Sequence, residues 1–143
     1  MENKSILITG GSHGFGEGLA RRMAAKGGIV TIADVDDVRG QQVADEIGGH
    51  FVLTDVTDFE SNQQAVAAAV ANGEGLDVVI LNAGVTSGLG LGDDFDPVKY
   101  RRVMSINLDG VIYGVAACMP ALRERGGGDI IATASMAGIA PTP

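Results

Sequence analysis

Five glycines crowd one short stretch of the chain, Gly10, Gly11, Gly14, Gly16 and Gly18, and an acid follows at Asp34. Glycine lets a backbone turn tightly and lets a ligand approach main-chain N–H groups that no side chain shields. Where a helix starts at such a turn, its first N–H groups lack partners and its dipole favours negative charge, so the fitting occupant is a phosphate. The spacing is Gly10-x-x-x-Gly14-x-Gly16 rather than the usual G-x-G-x-x-G, and glycines alone are also compatible with a turn that binds nothing. Asp34 narrows the choice. It lies 18 positions past Gly16, close to the roughly 20-residue offset at which an acid meets the 2′-hydroxyl of an adenosine ribose. A carboxylate there accepts hydrogen bonds from a ribose diol and repels a 2′-phosphate. Asp36 and Asp37 add negative charge and Arg39 is the one cation nearby in sequence, which favours NAD over NADP. For Asp36 and Asp37 themselves, a helix N-cap is the better reading.

The elements that must position these residues alternate between strand and helix. Ile6-Leu7-Ile8 is a short apolar run, as in a strand buried on both faces. A helical pattern with Leu19 and Met23 on one face, Ala20 beside them, runs from the glycines to a stop at Gly27. Gly28–Val35 is β-branched and apolar, a second strand ending on Asp34. A helix over Val38–Ile47 stops at Gly48-Gly49, and His50–Thr54 forms a third strand with Asp55-Val56 at its end. Thr57-x-x-Glu60 has capping-box form and opens a helix whose apolar stripe is read as Phe59, Gln63, Val66 and Val70, ended by Gly73 and Gly75. Leu76–Leu81 is the fourth strand, and Asn82-Ala83-Gly84 follow it. Val85–Asp94 is a polar, glycine-rich loop. Asp96-Pro97 starts a long helix continuing to about Arg125, with Val111, Val115, Cys118 and Leu122 toward a sheet. Gly110, Gly114 and Ala117 form a small-residue stripe suited to another helix or subunit. Gly126–Gly128 turn into a fifth strand, Asp129–Thr133, and Ser135 comes just after it. Connections long enough for helices make the strands parallel with right-handed crossovers, covered on both faces. The expected fold is an α/β three-layer Rossmann-type doubly wound parallel sheet of order 3-2-1-4-5. Asp55, Asn82 and Ser135 then share the carboxyl edge, where ligands bind such sheets.

Thr9-Gly10-Gly11-Ser12-His13-Gly14-Phe15-Gly16 resembles the T-G-x-x-x-G-x-G cofactor motif of the classical short-chain dehydrogenases/reductases. The resemblance continues through Asp55-Val56, Asn82-Ala83-Gly84, Asn107 and Ser135, and so covers essentially the whole chain. It implies an oxidoreductase that moves a hydride between nicotinamide and a carbonyl or secondary alcohol of a small molecule. It implies cofactor contacts from Gly10, Ser12, His13, Gly14, Phe15, Gly16, Asp34, Val35, Asp55, Val56, Asn82, Ala83 and Gly84, with Asp55 at the adenine amino group. Leu81 stands where the family usually has a second Asn. Ser135 would bond the substrate oxygen; a lone Ser after a strand is otherwise an ordinary turn residue. Asn107 would position a water for proton relay, or equally mark a kink held by a side-chain-to-backbone bond, since a buried helix Asn is costly unless satisfied.

With 143 residues, the chain is expected to form one NAD(P)-binding domain, burying roughly 68% of its unfolded surface. A net charge of −8 argues against a nucleic-acid surface, which needs a basic patch. No apolar run is read as long enough for a membrane span, and no metal-ligand cluster is evident. Cys118 is the lone cysteine, which suits apolar packing in a reducing cytoplasm. Met1–Lys4 lead directly into the first strand, leaving no room for a signal peptide.

The family's Tyr-x-x-x-Lys pair is missing. The tyrosines are Tyr100 and Tyr113, followed four positions later by Met104 and Ala117, and the lysines are Lys4, Lys26 and Lys99. A free tyrosine, with a pKa of about 10, exchanges protons poorly near neutrality, and the family lowers it with the lysine. The 143-residue chain is therefore expected to be weakly active at most, and to be part of a longer product whose further strands cover the Asp129–Thr133 edge. If it is whole, that edge is expected to pair with another chain. The resemblance also implies a homo-oligomer. The alternatives are a dinucleotide-binding module without catalysis and an inert fragment.

Overall fold

The computed structural model of the chain describes residues 1–86 and 92–138. Five parallel strands form one sheet in the expected order β3-β2-β1-β4-β5. The strands are β1 (Ser5–Thr9), β2 (Ile29–Asp34), β3 (His50–Leu53), β4 (Val78–Leu81) and β5 (Asp129–Ala132). β1 is central with β4 beside it, and both are buried along their whole length. The side-chain alternation of a strand then divides the core into two layers. Ile6 and Ile8 face α1 (Gly14–Ala24) and α2 (Asp37–Ile47), with Ala20, Val43 and Ala44. Leu7 faces α3 (Phe59–Gly73) and α5 (Gly110–Glu124), with Ala69, Cys118 and Leu122. The result is three layers, with helices on both faces of the sheet.

Helix boundaries follow from capping chemistry. Asp36 caps α2 by accepting from Arg39 N at 3.0 Å, and Gly48 closes it in the left-handed region at φ 65°. Asp96 caps α4 (Pro97–Met104), with Pro97 in the first turn. The capping box is corrected: Asp58, not Thr57, caps α3, accepting from Ser61 N at 2.9 Å. Thr57 is occupied one step earlier, where its N–H and hydroxyl both donate to Asp55 Oδ1.

The α3 stripe shifts with its cap. Asn62, Ala65, Val66, Ala69 and Gly73 are buried, while Phe59 is 40% exposed and Gln63 faces solvent. Ser5 explains Gly73, since a Cβ there would sit 2.3 Å from the Ser5 side chain. Small residues let α3 close on the sheet, so apolarity alone misjudged its inner face. β4 begins at Val78 rather than Leu76, because the Asp77 carboxylate turns back to accept from Ser5 N at 2.9 Å and from Lys4 Nζ at 2.9 Å.

The long helix is not uniform. A π turn, Ser105–Asp109, separates α4 from α5. The Gly110–Gly114–Ala117 stripe is buried within the chain: a Cβ at Gly110 would meet Val56 at 2.9 Å, and one at Gly114 would meet Leu81 at 2.5 Å. These glycines therefore serve contacts within the chain, Gly110 against Val56 just past β3 and Gly114 against Leu81 of β4. The whole stretch Pro97–Glu124, 28 residues, is by length and composition apolar enough to cross a membrane, which corrects the reading that no run is. Within that stretch α5 packs its inner face on α3, β4 and β5, while 22% of the apolar window is buried.

Candidate functional site

The carboxyl ends of the strands open on a cleft of about 980 Å³. Its walls include Gly10, His13, Gly14, Phe15, Asp34, Val35, Asp55, Val56, Asn82, Ala83, Gly84, Asn107 and Ser135. The structure thus gathers residues spread over more than a hundred positions along one rim. Ser12 and Gly16 are not in its walls. Ser12 is fully buried with its hydroxyl toward Asp36 O, and Gly16 is packed beneath the turn.

The glycine turn is built by close backbone approach. A Cβ on Gly16 would lie 2.0 Å from Gly10 O, and one on Gly10 would lie 2.8 Å from Ala83 Cα. Only hydrogen fits at either place. α1 starts at Gly14, and its N-cap, His13, is extended and makes no side-chain capping bond. α2, α3 and α4 each have an aspartate in that role. The first turn of α1 therefore offers its N–H groups to the cleft where the other helices offer theirs to a carboxylate, the condition for anion binding.

Asp34 is fastened to that turn. Its Oδ2 accepts from Ser12 N at 2.9 Å and its Oδ1 from Asp36 N at 3.1 Å. Two N–H bonds orient the carboxylate at the end of β2, and each oxygen keeps a lone pair for a ligand hydroxyl. Asp36 also accepts from Arg39 N and contacts His13 Nε2 at 2.9 Å, and these contacts hold its carboxyl below the usual range. Arg39, the cation that sequence placed nearby, is engaged with Glu17 at 2.5 Å and with Glu46. Arg21 joins the same network through both glutamates.

The central strands are tied at this edge by Asn82 and Thr9. Thr9 Oγ1 accepts from Asn82 N at 3.0 Å and Ala83 N at 3.1 Å. The Asn82 amide donates to Thr9 O and Gly10 O and accepts from Thr133 Oγ1 at 3.1 Å. Three strand ends and the glycine turn are thereby held as one unit. Thr9 and Thr133 were not among the expected site residues. Thr9 sits in the quoted motif, but a strand threonine reads as β propensity, and its pairing with residue 82 is visible only in three dimensions.

Asn107 lies in the π turn and bonds Val85 at both main-chain groups, accepting from N at 2.8 Å and donating to O at 2.9 Å. The expected side-chain-to-backbone bond is therefore present, at a π turn in the helix. The side-chain amide is committed to this clamp. Asp55 makes an Asx-type turn through Oδ1, and among the described residues nothing bonds its Oδ2. Ser135 lies across the same cleft. Part of the Val85–Asp94 loop, 87–91, lies outside the described residues.

Comparison with known proteins agrees with this architecture. The family model for short chain dehydrogenase matches residues 4–143. The chain is 35% identical over 141 residues to a 3-alpha-(or 20-beta)-hydroxysteroid dehydrogenase of Mycobacterium tuberculosis, covering 97% of this chain and 54% of that one. It is 37% identical over 150 residues to a trans-4-hydroxycyclohexanecarboxylate dehydrogenase of Sinomonas cyclohexanicum, covering 97% and 57%. The crystal structure of a 3-ketoacyl-(acyl-carrier-protein) reductase from Brucella melitensis complexed with NADH superposes with a TM-score of 0.93 at 32% identity, over 99% of this chain and 61% of that one. The chain belongs to the short-chain dehydrogenase family. It spans little more than half the length of these curated relatives.

Proposed function

We propose that the cleft binds NAD and serves an oxidoreductase acting on a carbonyl or secondary alcohol of a small molecule. One observation carries the cofactor reading: the Asp34 carboxylate is hydrogen-bonded to Ser12 N in the glycine turn, so the phosphate-binding and ribose-binding features form one surface. A pyrophosphate on the uncapped start of α1 brings its adenosine ribose to Asp34. The residues fit the group, because the turn excludes side chains where phosphates approach and the acid has lone pairs left for a diol. NAD is favoured over NADP because Asp34 and Asp36 repel a 2′-phosphate, while Arg39, the cation that would attract one, is held by Glu17 and Glu46. The relative bound to NADH supports a nicotinamide dinucleotide.

The bound cofactor would supply hydride chemistry. Ser135, on the same rim, would donate its hydroxyl proton to the substrate oxygen as a hydrogen bond and polarise the carbonyl. Asn107 would act by holding Val85 and the π turn in place beside it. Among the described residues no tyrosine lines the cleft, so these two groups polarise and position but do not deliver a proton. The lone buried Cys118 fits a cytoplasmic setting, and the family relationship supports a homo-oligomer; both belong to this proposal.

Titration of the protein with NADH and NADPH by calorimetry tests the reading. Tighter binding of NADH is expected, together with a rise in melting temperature. No binding of either would overturn the dinucleotide site, and preference for NADPH would overturn the role of Asp34. Turnover of secondary alcohols with NAD separates enzyme from binding module.

A further inference from the structure

The cleft extends past Asp34 to Val35 and Asp55. A side cleft of about 620 Å³ branches from it, and the two share Val35, Asp55, Arg102 and Ile106 as walls. Arg102 differs from the other arginines with described partners. Arg21, Arg39 and Arg125 are each held by carboxylates, whereas no carboxylate among the described residues lies within ion-pair distance of Arg102. Arg22, Arg101 and Arg123 likewise have no carboxylate partner among the described residues, but of these unpaired arginines Arg102 alone lines both clefts.

We infer that Arg102 is a base-binding residue, stacking its guanidinium on the face of the adenine. This rests on the dinucleotide reading above. With the pyrophosphate at the glycine turn and the ribose at Asp34, the base falls past Val35 toward the junction of the two clefts. Val35, 66% exposed, and Ile106 provide apolar contact there. Asp55 Oδ2, which no described residue bonds, is an acceptor for the exocyclic amino group on the edge of the ring. What remains is a face of the purine, and a planar, weakly hydrated guanidinium is suited to it. Since no carboxylate holds Arg102, no ion pair has to break when the base arrives.

The test is calorimetric binding of three probes, ADP-ribose, NADH and the reduced dinucleotide with cytosine in place of adenine, to the native chain and to Arg102→Ala and Arg102→Lys. The native chain is expected to prefer adenine to cytosine. Arg102→Ala should weaken ADP-ribose and NADH by about 5- to 20-fold, the range of a stacked cation, and should shrink the adenine preference. Arg102→Lys, which keeps the charge but not the plane, should recover less than half of that loss. Arg102 is exposed on its helix, so unchanged circular dichroism is expected for both variants. Binding by the native chain together with an adenine preference unchanged in Arg102→Ala would overturn this inference alone. Full rescue by lysine would also overturn it, since bulk charge would then suffice. Absence of ADP-ribose binding to the native chain would overturn the dinucleotide site and this inference with it.

Discussion

Asn107 and Val85 exchange two hydrogen bonds, the side-chain amide of one against the backbone N–H and C=O of the other, at 2.8 and 2.9 Å. The pairing mimics one rung of a β-ladder and joins the π turn to the segment leaving β4. Asn107→Ala should cost about 1–2 kcal/mol, the net worth of two hydrogen bonds at a partly solvated site. Hydrogen exchange gives a sharper reading, because Val85 N–H should lose its protection while the β1 and β4 amides keep theirs. Retained protection at Val85 would mean that the clamp is not formed in solution.

Gly14 and Gly16 make a contrasting pair. Gly14 has a positive φ of 54° but open space where a methyl group would stand, whereas a methyl on Gly16 would collide with Gly10 O at 2.0 Å. Gly14→Ala should cost about 1 kcal/mol, the penalty for the left-handed region. Gly16→Ala must displace backbone and should cost several times more, with the glycine turn lost as a ligand site. Urea denaturation of the two variants compares them directly, and similar midpoints would contradict the packing beneath the turn.

Asp34→Asn keeps a side chain of the same shape but removes the charge. It should weaken NADH by roughly tenfold, as expected for loss of charged hydrogen bonds, and should narrow the discrimination against NADPH. Fluorescence titration with both cofactors measures the ratio. An unaltered ratio would remove Asp34 from the account of specificity.

Asp77 links stability to pH. Burial pushes its carboxyl up, but the Ser5 N–H, Lys4 and Arg125 outweigh burial and leave it below the ordinary 3.8. A carboxyl whose folded pKa is depressed contributes stability that is complete above its unfolded pKa and is lost as pH falls through the folded one. The native chain should therefore weaken below about pH 4, and Asp77→Asn should be less stable at pH 7 by about 2 kcal/mol and show a flatter acid limb. Chemical denaturation between pH 7 and pH 3 provides the comparison.

Cys118 is fully buried between α5 and the sheet, and burial pushes its thiol above the ordinary value. A protonated, inaccessible thiol is a poor nucleophile. It should react with a disulfide reagent at the rate of unfolding in native buffer and immediately in denaturant. Fast labelling of the native protein would show the α5 packing to be looser than described.

Local pattern sufficed for much of this architecture. Strands announce themselves when they are buried on both faces, as the central β1 and its neighbour β4 are. Helix starts were legible at Asp36 and Asp96, because capping is a bond between residues two or three apart. The same locality misled at Thr57, where Asp58 is an equally good cap one position on and Thr57 is already bonded to Asp55 Oδ1. It failed again on α3, whose inner face includes Ala69 and Gly73, where Ser5 comes close, and Asn62, whose amide donates to Val56 O and Asp58 O; no count of apolar side chains reveals either.

What the sequence by itself determined is the alternation of strand and helix, the parallel sense of the strands and the set of residues at their carboxyl ends, because side-chain periodicity marks each element and the connections are long enough for crossover helices. Tertiary structure alone decided which of those residues act together. It paired Thr9 with Asn82, fastened Asp34 to the glycine turn, used Gly110 and Gly114 to seat α5 on Val56 and Leu81, and left Arg102 without a carboxylate at the mouth of a second cleft. Each of these depends on distances between segments far apart in the chain, and such distances are set by how helices of particular girth close on a twisted sheet.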